Sequence, residues 1–328
     1  MATTSPKAAL TAAAARSRNS LGRLLPSSLR TKPRRLMFLH AHPDDESSKG
    51  AATMAELVAQ GHQVMVVTCT GGQQGSILNP HAGHLAAQDI SELRRTEMAG
   101  AVGHLGVQHR WLGYPDSGMT AEYRPAKTDG FAFQTEPATS DLANVIREFK
   151  PDVLVTYNET GGYPHPDHIA THQVSHAAVR AAADVWQVPK VYYHVPPDAQ
   201  TVVAAHWALL ARGRPSPFGP VLKQWRMHPQ LDPGRRVTTR VAASLRSAKA
   251  ARQAALAHVS QVSPDCLALV LPDWARKVEN FERVVPPPQA GKPVERSLLA
   301  GLTSSGRRDW FRSLRRRTSP AEDALLAR

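Results

Sequence analysis

The sequence feature that most constrains the fold is a run of ten residues from Leu39 to Ser48. It contains two histidines, two adjacent aspartates and a glutamate, and one proline stiffens it. An apolar run, residues 36–39, precedes it, and residues 50–61 after it have the apolar spacing of a helix. Ligands of open α/β sheets bind outside the carboxyl ends of the strands, so this loop is expected to line a binding site.

A second polar cluster lies far downstream, from Tyr163 to His168, and contains two histidines and one aspartate. It also follows an apolar segment, residues 153–157, that has the composition of a buried strand. Carboxyl ends of neighbouring parallel strands meet at one edge of a sheet, so the two clusters are expected to come together there. The sequence therefore predicts one metal site built from both loops.

Short apolar strands alternate with helical stretches along the chain, which is typical of a parallel sheet covered by helices. The predicted strands are residues 36–40, 63–69, 109–112, 152–157 and 190–194. The predicted helices are residues 49–60, 88–105, 140–149 and 168–183. The predicted fold class is α/β, with a Rossmann-like, mostly parallel sheet, helices on both faces and a C-terminal cap region.

After Pro196 this alternation loosens. Residues 201–212 and 241–260 have helical spacing, whereas residues 212–232 are rich in proline, glycine and arginine and are expected to form a loop or cap. Three consecutive prolines in residues 281–292 predict an irregular edge or linker. The predicted organisation is a disordered basic leader over residues 1–34, a main domain over 35–285 with cap elements at about 196–285, and a proline-containing, basic tail over 286–328.

The formal net charge of +13 is concentrated at the two ends of the chain. Residues 1–36 carry eight basic and no acidic side chains, residues 304–328 carry seven arginines and three acids, and the rest is nearly neutral. The arginines from Arg315 to Arg317 could contact nucleic acid or an anionic surface, but a solvated tail is the favoured interpretation. We therefore expect no nucleic-acid partner, and no apolar run approaches the roughly 18 residues of a membrane span.

The two cysteines, Cys69 and Cys266, are too few and too distant for a disulfide framework, so a cytoplasmic, reducing location is expected. Cys69 lies in a predicted strand and is expected to be a small buried hydrophobic residue. The N-terminal stretch lacks an apolar segment before a cleavage site, which favours a disordered leader or a start codon placed too far upstream. The glycine-rich loop at residues 70–75 lacks the lysine and spacing of a phosphate-binding loop.

Two imidazoles and one carboxylate, from His42, Asp45 and His168, form a set that catalytic zinc sites use. Such sites keep three protein ligands and leave a fourth position for water. With nitrogen and oxygen donors, one Zn²⁺ per chain is the first choice, and Fe²⁺ or Mn²⁺ are alternatives. Considered alone, His42 or His168 would more often have a structural role than bind a metal. His40 is expected to line the pocket. Two clusters of histidine and aspartate, each following a predicted strand, are hard to explain by packing alone, because carboxylates are rarely buried without partners.

Residues beside these ligands suggest hydrolytic chemistry. Asp44 is placed to take a proton from a water that the metal activates. His165 could protonate a leaving nitrogen or stabilise an oxyanion, and Tyr163 could donate its hydroxyl to the same oxyanion. Glu46 and Asp167 are expected to hold the metal ligands in place.

Residues 41–46, Ala-His-Pro-Asp-Asp-Glu, and residues 165–168, His-Pro-Asp-His, resemble the two signature motifs of the PIG-L/LmbE-like deacetylases. These are zinc-dependent enzymes that remove an acyl group from the nitrogen of a glucosamine unit. The resemblance covers roughly residues 35–280 and is strongest for the branch of mycothiol S-conjugate amidases. It extends to residues 46–53, 70–72, 75–80, 112–118, 161–163 and 216–219, and to Lys223, Trp225, Ala257, His258 and Gln261.

The resemblance implies the same metal ligands, Asp44 as general base, and His165 and Tyr163 as residues that act on the tetrahedral intermediate. It also implies substrate contacts for four residues. Lys49, a residue of the amidase branch, would contact the part of the substrate beyond the sugar. The family's usual Glu-Arg pair is replaced here by Gln73 and Gln74, so Gln74 would keep hydrogen bonding to substrate without the charge. The remaining contacts are Asp116, with sugar hydroxyls, and His258, closing over the pocket.

The resemblance thus implies a zinc-dependent amidase that hydrolyses mycothiol S-conjugates, in thiol detoxification or natural-product tailoring. These substrates join glucosaminyl-inositol to an S-substituted N-acetylcysteine. The alternative is an N-deacetylase of N-acetylglucosaminyl-inositol or a related aminosugar. A third hypothesis, a basic-tailed protein that binds nucleic acid or an anionic surface, is disfavoured by the nearly neutral body of the chain. The expected partner is a small-molecule substrate, and homo-oligomerisation is left open.

Overall fold

A computed structural model describes residues 32–87, 89–263, 266–289 and 291–302 of the chain. Contacts between residues group 34–303 into one unit, separate from the two ends of the chain. Nearly all of the predicted leader lies outside the described residues, as does the part of the predicted tail that includes Arg315 to Arg317. All described strands and helices therefore belong to the central unit.

The centre of the sheet consists of five parallel strands, as the sequence predicted. Their order is β3-β2-β1-β4-β5, and each neighbouring pair is parallel. Apolar and β-branched residues fill β1 and β4, whose residues are almost all buried, as is typical of parallel strands covered on both faces. The strands are β1 (Arg35–His40), β2 (Gln63–Thr70), β3 (Gln108–Tyr114), β4 (Val153–Thr156) and β5 (Lys190–Val195).

Two further strands, β6 (Thr239–Ala242) and β7 (Val278–Val285), extend the sheet beyond β5 in the order β5-β7-β6. Both new pairings are antiparallel, so the whole sheet is mixed but mostly parallel. The prediction of an irregular edge or linker over residues 281–292 was therefore wrong for residues 281–285. The prolines that prompted it follow the strand and end it, because proline cannot donate a ladder hydrogen bond.

β7 lacks the alternation of apolar and polar residues that is typical of a strand, because it contains several charged side chains. In the structure these charged side chains have partners. Glu282 accepts a hydrogen bond from Arg236 at 2.7 Å, and Arg283 donates to Glu295 at 2.6 Å. A buried sheet position tolerates a charge only where such a partner compensates its desolvation. The partners come from distant parts of the chain, so the local sequence does not reveal them.

Helices cover both faces of the sheet. α2, α3 and α8 pack on one face with Phe38 of β1, and α4 and α5 pack on the other with Met37 and Leu39. The predicted helix over residues 241–260 begins later, because residues 241–242 belong to β6. The helices are α1 (Asp45–Ser48), α2 (Ala51–Ala59), α3 (Ile90–Leu105), α4 (Thr135–Phe149), α5 (Pro166–Ala181), α6 (Ala199–Leu210), α7 (Gly219–Met227), α8 (Leu245–Ala257), α9 (Leu267–Val270) and α10 (Asp273–Arg276).

The strand order reverses between β1 and β4, since β2 and β3 continue on one side and β5 on the other. In doubly wound sheets such a switch point opens a crevice at the carboxyl ends of the strands. The loop after β1 continues into α1, and the loop after β4 leads into α5. Both polar clusters singled out in the sequence therefore start at this crevice.

The residues after β5, which were expected to form a cap, belong partly to the sheet and its covering helices. α6, α7 and two short 3-10 helices occupy residues 199–236, whereas β6, α8 and β7 belong to the sheet and its cover. Beyond β7, Leu298 is buried in the core and Lys190 donates a hydrogen bond to the carbonyl of Ala300, so the packed unit extends past residue 285. In the described part of the chain, no helix is long and apolar enough to cross a membrane.

Candidate active site

The two polar loops bring three potential metal ligands together at the switch point. One nitrogen each of His42 and His168 and one carboxylate oxygen of Asp45 all lie within 4.8 Å of one another, and all three residues are buried. Asp45 Oδ2 lies 3.7 Å from His42 Nδ1 and 3.4 Å from His168 Nε2. Ligand atoms of a tetrahedral zinc ion at about 2.0–2.1 Å lie about 3.4 Å apart, so these separations fit such an ion.

Hydrogen bonds on the far side of each imidazole orient it toward this centre. His168 Nδ1 lies 3.0 Å from the carbonyl oxygen of Gly161, an acceptor, so Nδ1 carries the proton and Nε2 presents its lone pair. Among the described residues, buried His168 Nε2 makes no hydrogen bond. His42 Nε2 lies 3.2 Å from Asp167 Oδ2, the carboxylate–histidine arrangement that accompanies metal-binding histidines. The donor set therefore fits a divalent cation.

Gly161 is required at its position for two reasons. Its φ of +71° is unfavourable for residues with a side chain, and an added Cβ would lie 2.5 Å from His168 Cβ. This close approach is what lets the Gly161 carbonyl reach His168 Nδ1. The glycine was noted in the sequence only as part of a resemblance, and its role in orienting the ligand is visible only in the structure.

A second set, His42, Asp116 and His165, also has ligand atoms within 4.8 Å of one another. It fits less well because His165 Nδ1 accepts the backbone N–H of Asp167 at the start of α5, so Nε2 carries the proton and lacks a free lone pair. The carboxylates do not separate the two sets. The oxygens of Asp116 accept backbone N–H groups, and Asp45 Oδ2 likewise accepts the backbone N–H of His42, at 3.0 Å.

Asp44, which precedes the potential ligand Asp45, has a strained backbone. Its φ of 98° is in the left-handed region that residues with a side chain rarely adopt, and it directly precedes α1. Asp44 Oδ2 accepts a hydrogen bond of 2.7 Å from Arg94. Burial raises the pKa of Asp44, and the Arg94 guanidinium opposes that rise. The carboxylate is therefore held in one position with a basicity above that of an exposed aspartate.

Sequence reasoning missed Arg94, which lies on α3. Its guanidinium is buried and also donates to the carbonyl oxygens of Pro43, at 2.6 Å, and Gly72, at 3.0 Å. It therefore ties together the loops that follow β1 and β2. An arginine in the middle of a polar helix face carries no local signal for this role.

Tyr157 was also missed, because it appeared only as the last residue of an apolar strand. Its hydroxyl accepts the backbone N–H of Ala41 at 3.0 Å and donates to Asp45 Oδ2 at 2.8 Å. Its ring stacks on His168 with a centroid distance of 4.4 Å and an interplanar angle of 14°. Tyr157 thus positions two of the three potential ligands. His40, expected to line the pocket, is buried beside it, with Nδ1 3.4 Å from the Tyr157 hydroxyl.

Of the other predicted site residues, Lys49 contacts a potential metal ligand, and Glu46 and His258 contact each other. Lys49 Nζ donates to Asp45 Oδ1 at 2.5 Å. Glu46 accepts from Ser47 and from the backbone N–H of Asp44. His258 was expected to close over the pocket, but the structure places it fully buried, with Nε2 2.7 Å from Glu46 Oε1. The opposite charge of Glu46 raises the pKa of His258 against the effect of burial.

A polar cleft of about 280 Å³ opens beside these residues. Predicted substrate contacts Gln74 and Asp116 line it together with Asp44, Tyr163 and His165. Tyr163 is 44% exposed and lines the cleft. Burial, with the neighbouring imidazole of His42, lowers the pKa of His165 to about 4. The cleft therefore offers hydroxyl, imidazole, amide and carboxylate groups around one small space.

Comparison with known sequences identifies relatives of this chain. Residues 37–179 match the family model PIG-L, described as GlcNAc-PI de-N-acetylase. A mycothiol S-conjugate amidase of Streptomyces coelicolor is 43% identical over 251 residues, which cover 70% of this chain and 83% of the relative. A 1D-myo-inositol 2-acetamido-2-deoxy-alpha-D-glucopyranoside deacetylase of Catenulispora acidiphila is 43% identical over 195 residues, which cover 53% and 60%.

Solved structures with the same fold are more distant in sequence. A conserved protein of Thermus thermophilus has a TM-score of 0.52 at 22% identity, covering 80% of this chain and all of that protein. A deacetylase from the biosynthesis pathway of teicoplanin has a TM-score of 0.52 at 20% identity, covering 76% of this chain and 97% of that protein. At such identities the comparison supports the fold alone.

Proposed function

The chain belongs to the PIG-L family, and from this premise we propose that it is a metal-dependent amidase that hydrolyses mycothiol S-conjugates. The observation that carries this choice is the position of Lys49, whose Nζ lies 2.5 Å from Asp45 Oδ1. An ammonium group there can donate to an acyl part that contains its own amide carbonyl, as N-acetylcysteine does. Beyond its scissile carbonyl, an acetyl group has only a methyl group, which gains nothing from a cation.

His42, Asp45 and His168 would hold the metal, with Zn²⁺ as the first choice and Fe²⁺ or Mn²⁺ as alternatives. When bound there, such an ion supplies Lewis-acid polarisation of the scissile carbonyl and makes a water more acidic. Asp167 and Tyr157 fix the ligands from behind, through His42 Nε2 and Asp45 Oδ2. This support matches the oriented outer contacts that functional metal sites need.

Asp44 would take the proton of the attacking water. Its carboxylate lines the polar cleft, and its raised pKa makes it a stronger base than an exposed aspartate. Arg94 holds Oδ2 in place, which leaves Oδ1 for the water. With the strained φ of Asp44, its carboxylate faces Arg94 in the cleft, whereas the adjacent Asp45 faces His42 and His168.

His165 and Tyr163 would act on the tetrahedral intermediate. Because His165 Nδ1 accepts a backbone N–H, its Nε2–H would donate a hydrogen bond to the oxyanion or to the departing nitrogen. Its pKa, lowered to about 4, keeps the ring neutral near pH 7, so the proton that the departing amine gains would come from Asp44, which takes it from the attacking water. The Tyr163 hydroxyl, at the exposed side of the cleft, would donate to the developing oxyanion.

Gln74 and Asp116 would contact the hydroxyls of the glucosaminyl-inositol part in the polar cleft. Two observations favour a second candidate, the deacetylation of N-acetylglucosaminyl-inositol. Deacetylase relatives have the same 43% identity as the amidase, and Gln73 with Gln74 departs from the family's usual pair. We propose a cytoplasmic site of action, because two cysteines in the whole sequence are too few for the disulfide framework of a secreted protein.

A turnover assay with two substrates separates the candidates. The metal-loaded protein is given an S-conjugate of mycothiol and, in parallel, N-acetylglucosaminyl-inositol, and kcat/KM is measured for each. A higher kcat/KM for the conjugate supports the amidase. A higher value for the acetyl sugar assigns the protein to deacetylation, and no turnover of either substrate by the metal-loaded protein contradicts both.

A further inference from the structure

A second cavity, of about 120 Å³, lies close to the metal-ligand cluster but outside the polar cleft. It is lined by α1, the start of α2, the end of β5, α6, α8, α10 and β7, so it lies beyond β4 on the β5 side of the switch point. The mechanism proposed above uses none of the residues that line it. Those that matter here are Ser48, His194, Thr201, Ala251, Leu271 and Ala275.

Lys49 connects this cavity to the reacting centre. Its Nζ donates to Asp45 Oδ1 at 2.5 Å and to Ser48 Oγ at 3.2 Å, and Ser48 lines the cavity. The other oxygen of Asp45 faces His42 and His168. The ammonium group of Lys49 therefore lies on the side of Asp45 away from the two imidazoles, beside the second cavity.

The polar cleft and the second cavity differ in the side chains that line them. The polar cleft presents Gln74, Arg94, Asp116 and Gln261, which suit the many hydroxyls of a sugar and an inositol. Apolar surface predominates in the second cavity, where Ala251, Leu271 and Ala275 lie on α8, in the loop before α10 and on α10, although Arg276, Glu279 and Asn280 also line it. Such a surface suits an apolar group, which gains free energy by leaving water.

We propose that the second cavity binds the S-substituent of the acyl part of the substrate, an apolar thioether group. The inference rests on the proposed function, because only an amidase substrate carries such a group on the far side of the scissile amide. Lys49, whose ammonium group lies between Asp45 and Ser48, would donate a hydrogen bond to the acetamido carbonyl of the N-acetylcysteine. A dry apolar cavity of about 150 Å³ holds benzene, so a cavity of about 120 Å³ suits a substituent up to about one small ring.

Filling the cavity tests this assignment. Ala275→Leu and Ala251→Leu add side-chain volume from two different helices that line the cavity, and Gln253→Leu adds a leucine at an exposed position of α8. The measured quantity is kcat/KM for an S-benzyl conjugate of mycothiol divided by kcat/KM for the S-methyl conjugate. We expect this ratio to fall roughly tenfold or more in both cavity variants, as for other mismatched apolar pockets, and to stay at the wild-type value in Gln253→Leu.

Binding of substrate fragments tests the cavity without turnover. The probes are S-benzyl-N-acetylcysteinamide and its S-methyl analogue, with affinity measured by NMR titration of the full-length protein. The S-benzyl probe is expected to bind more tightly to the wild type, and Ala275→Leu should abolish that difference. Circular dichroism of each variant establishes that it is folded.

The two experiments distinguish failure of the inference from failure of the proposed function. A wild type that binds the S-benzyl probe preferentially but cleaves neither conjugate would contradict the amidase function and leave the cavity assignment supported. Equal affinities of the two probes, or an unchanged benzyl-to-methyl ratio in both folded cavity variants, would overturn the inference even if conjugates are cleaved.

Discussion

Asp44 and Arg94 form a pair that holds the proposed base beside the three potential metal ligands. Asp44 follows His42 by two positions and precedes Asp45, yet its left-handed backbone turns its carboxylate toward Arg94 on another element. The guanidinium also donates to the carbonyl oxygens of Pro43, next to Asp44, and of Gly72 in the loop after β2, so three hydrogen bonds fix its position. The pair therefore limits Asp44 to one orientation in the cleft.

Replacing Asp44 tests its assignment as the base. Asp44→Ala should lower kcat by about a hundredfold or more, the usual contribution of a positioned general base. Metal content, measured by elemental analysis after loading, should stay equal to that of the wild type because the three ligands are unchanged. A wild-type rate in the purified variant would show that another group takes the proton.

Replacing Arg94 tests whether the guanidinium positions that base. In Arg94→Lys a single ammonium group cannot reach Asp44 and both carbonyls in the same planar geometry. We expect kcat to fall about tenfold to a hundredfold, because small misplacements of a reacting group have effects of this size, with KM changing little. Arg95→Lys, an exposed position on the same helix, is the matched control. Equal kcat values for the two variants would remove Arg94 from the mechanism.

Part of the candidate site could be predicted from the sequence, and part could not. That His42, Asp45 and His168 come together was predictable because two clusters of His and Asp, each after a predicted strand, are hard to explain by packing, although each histidine alone is more often structural. Arg94 and Tyr157 could not be predicted, because they act across 50 and 112 positions of sequence. Such contacts depend on which helix face and which strand end meet in three dimensions.

At the scale of elements, α2 depends on a residue from β7. The residue before this helix, Gly50, has no side chain to cap it, and its φ of +95° places it beside the Phe38 ring. Glu279 on β7 accepts the backbone N–H groups of Ala52 and Thr53 instead, at 3.2 and 2.7 Å. The acid thus joins the first turn of α2 to a strand more than 200 residues away in sequence.

Removing this carboxylate should destabilise the fold. Glu279→Ala leaves two N–H groups at a helix start without an acceptor, and we expect a loss of about 1–3 kcal/mol in the free energy of unfolding. Glu279→Gln keeps one acceptor oxygen and should lose less. Urea denaturation measures both, with the exposed Glu122→Ala as control. If Glu279→Ala unfolds at the same urea midpoint as this control, the strand does not stabilise the helix.

The same strand explains where sequence-based prediction of the elements succeeded and failed. Four of the five parallel strands, β1, β2, β4 and β5, are largely buried and mostly apolar, which gives them a local signal, whereas the edge strand β3 is mostly part-exposed. β7 contains the charged pair Glu282 and Arg283, whose partners, Arg236 and Glu295, lie elsewhere in the chain. Without those partners in view, its sequence resembles an exposed segment ending in prolines.

At the scale of the whole molecule, the reversal of strand order brings both polar loops to one crevice. The predicted alternation of strands and helices was sufficient to place the site there. It was not sufficient to place the second cavity, because most of the residues that line that space come from elements after residue 190 whose packing the sequence left open. The region expected to form a cap therefore contributes both to the sheet and to the proposed specificity of the site.

Metal binding should stabilise the whole unit, because the ligands come from two loops that only the fold brings together. A metal that binds only the folded state at 100 times its Kd adds about 2.7 kcal/mol. We therefore expect Zn²⁺ to raise the Tm of the chelator-treated protein. His168→Asn, which removes the imidazole whose Nε2 faces the other ligands, should lose most of this shift, whereas the exposed His81→Asn should keep it. A shift of equal size in both variants would mean that the metal binds elsewhere, and the hydrolytic role of this crevice would then lack its central group.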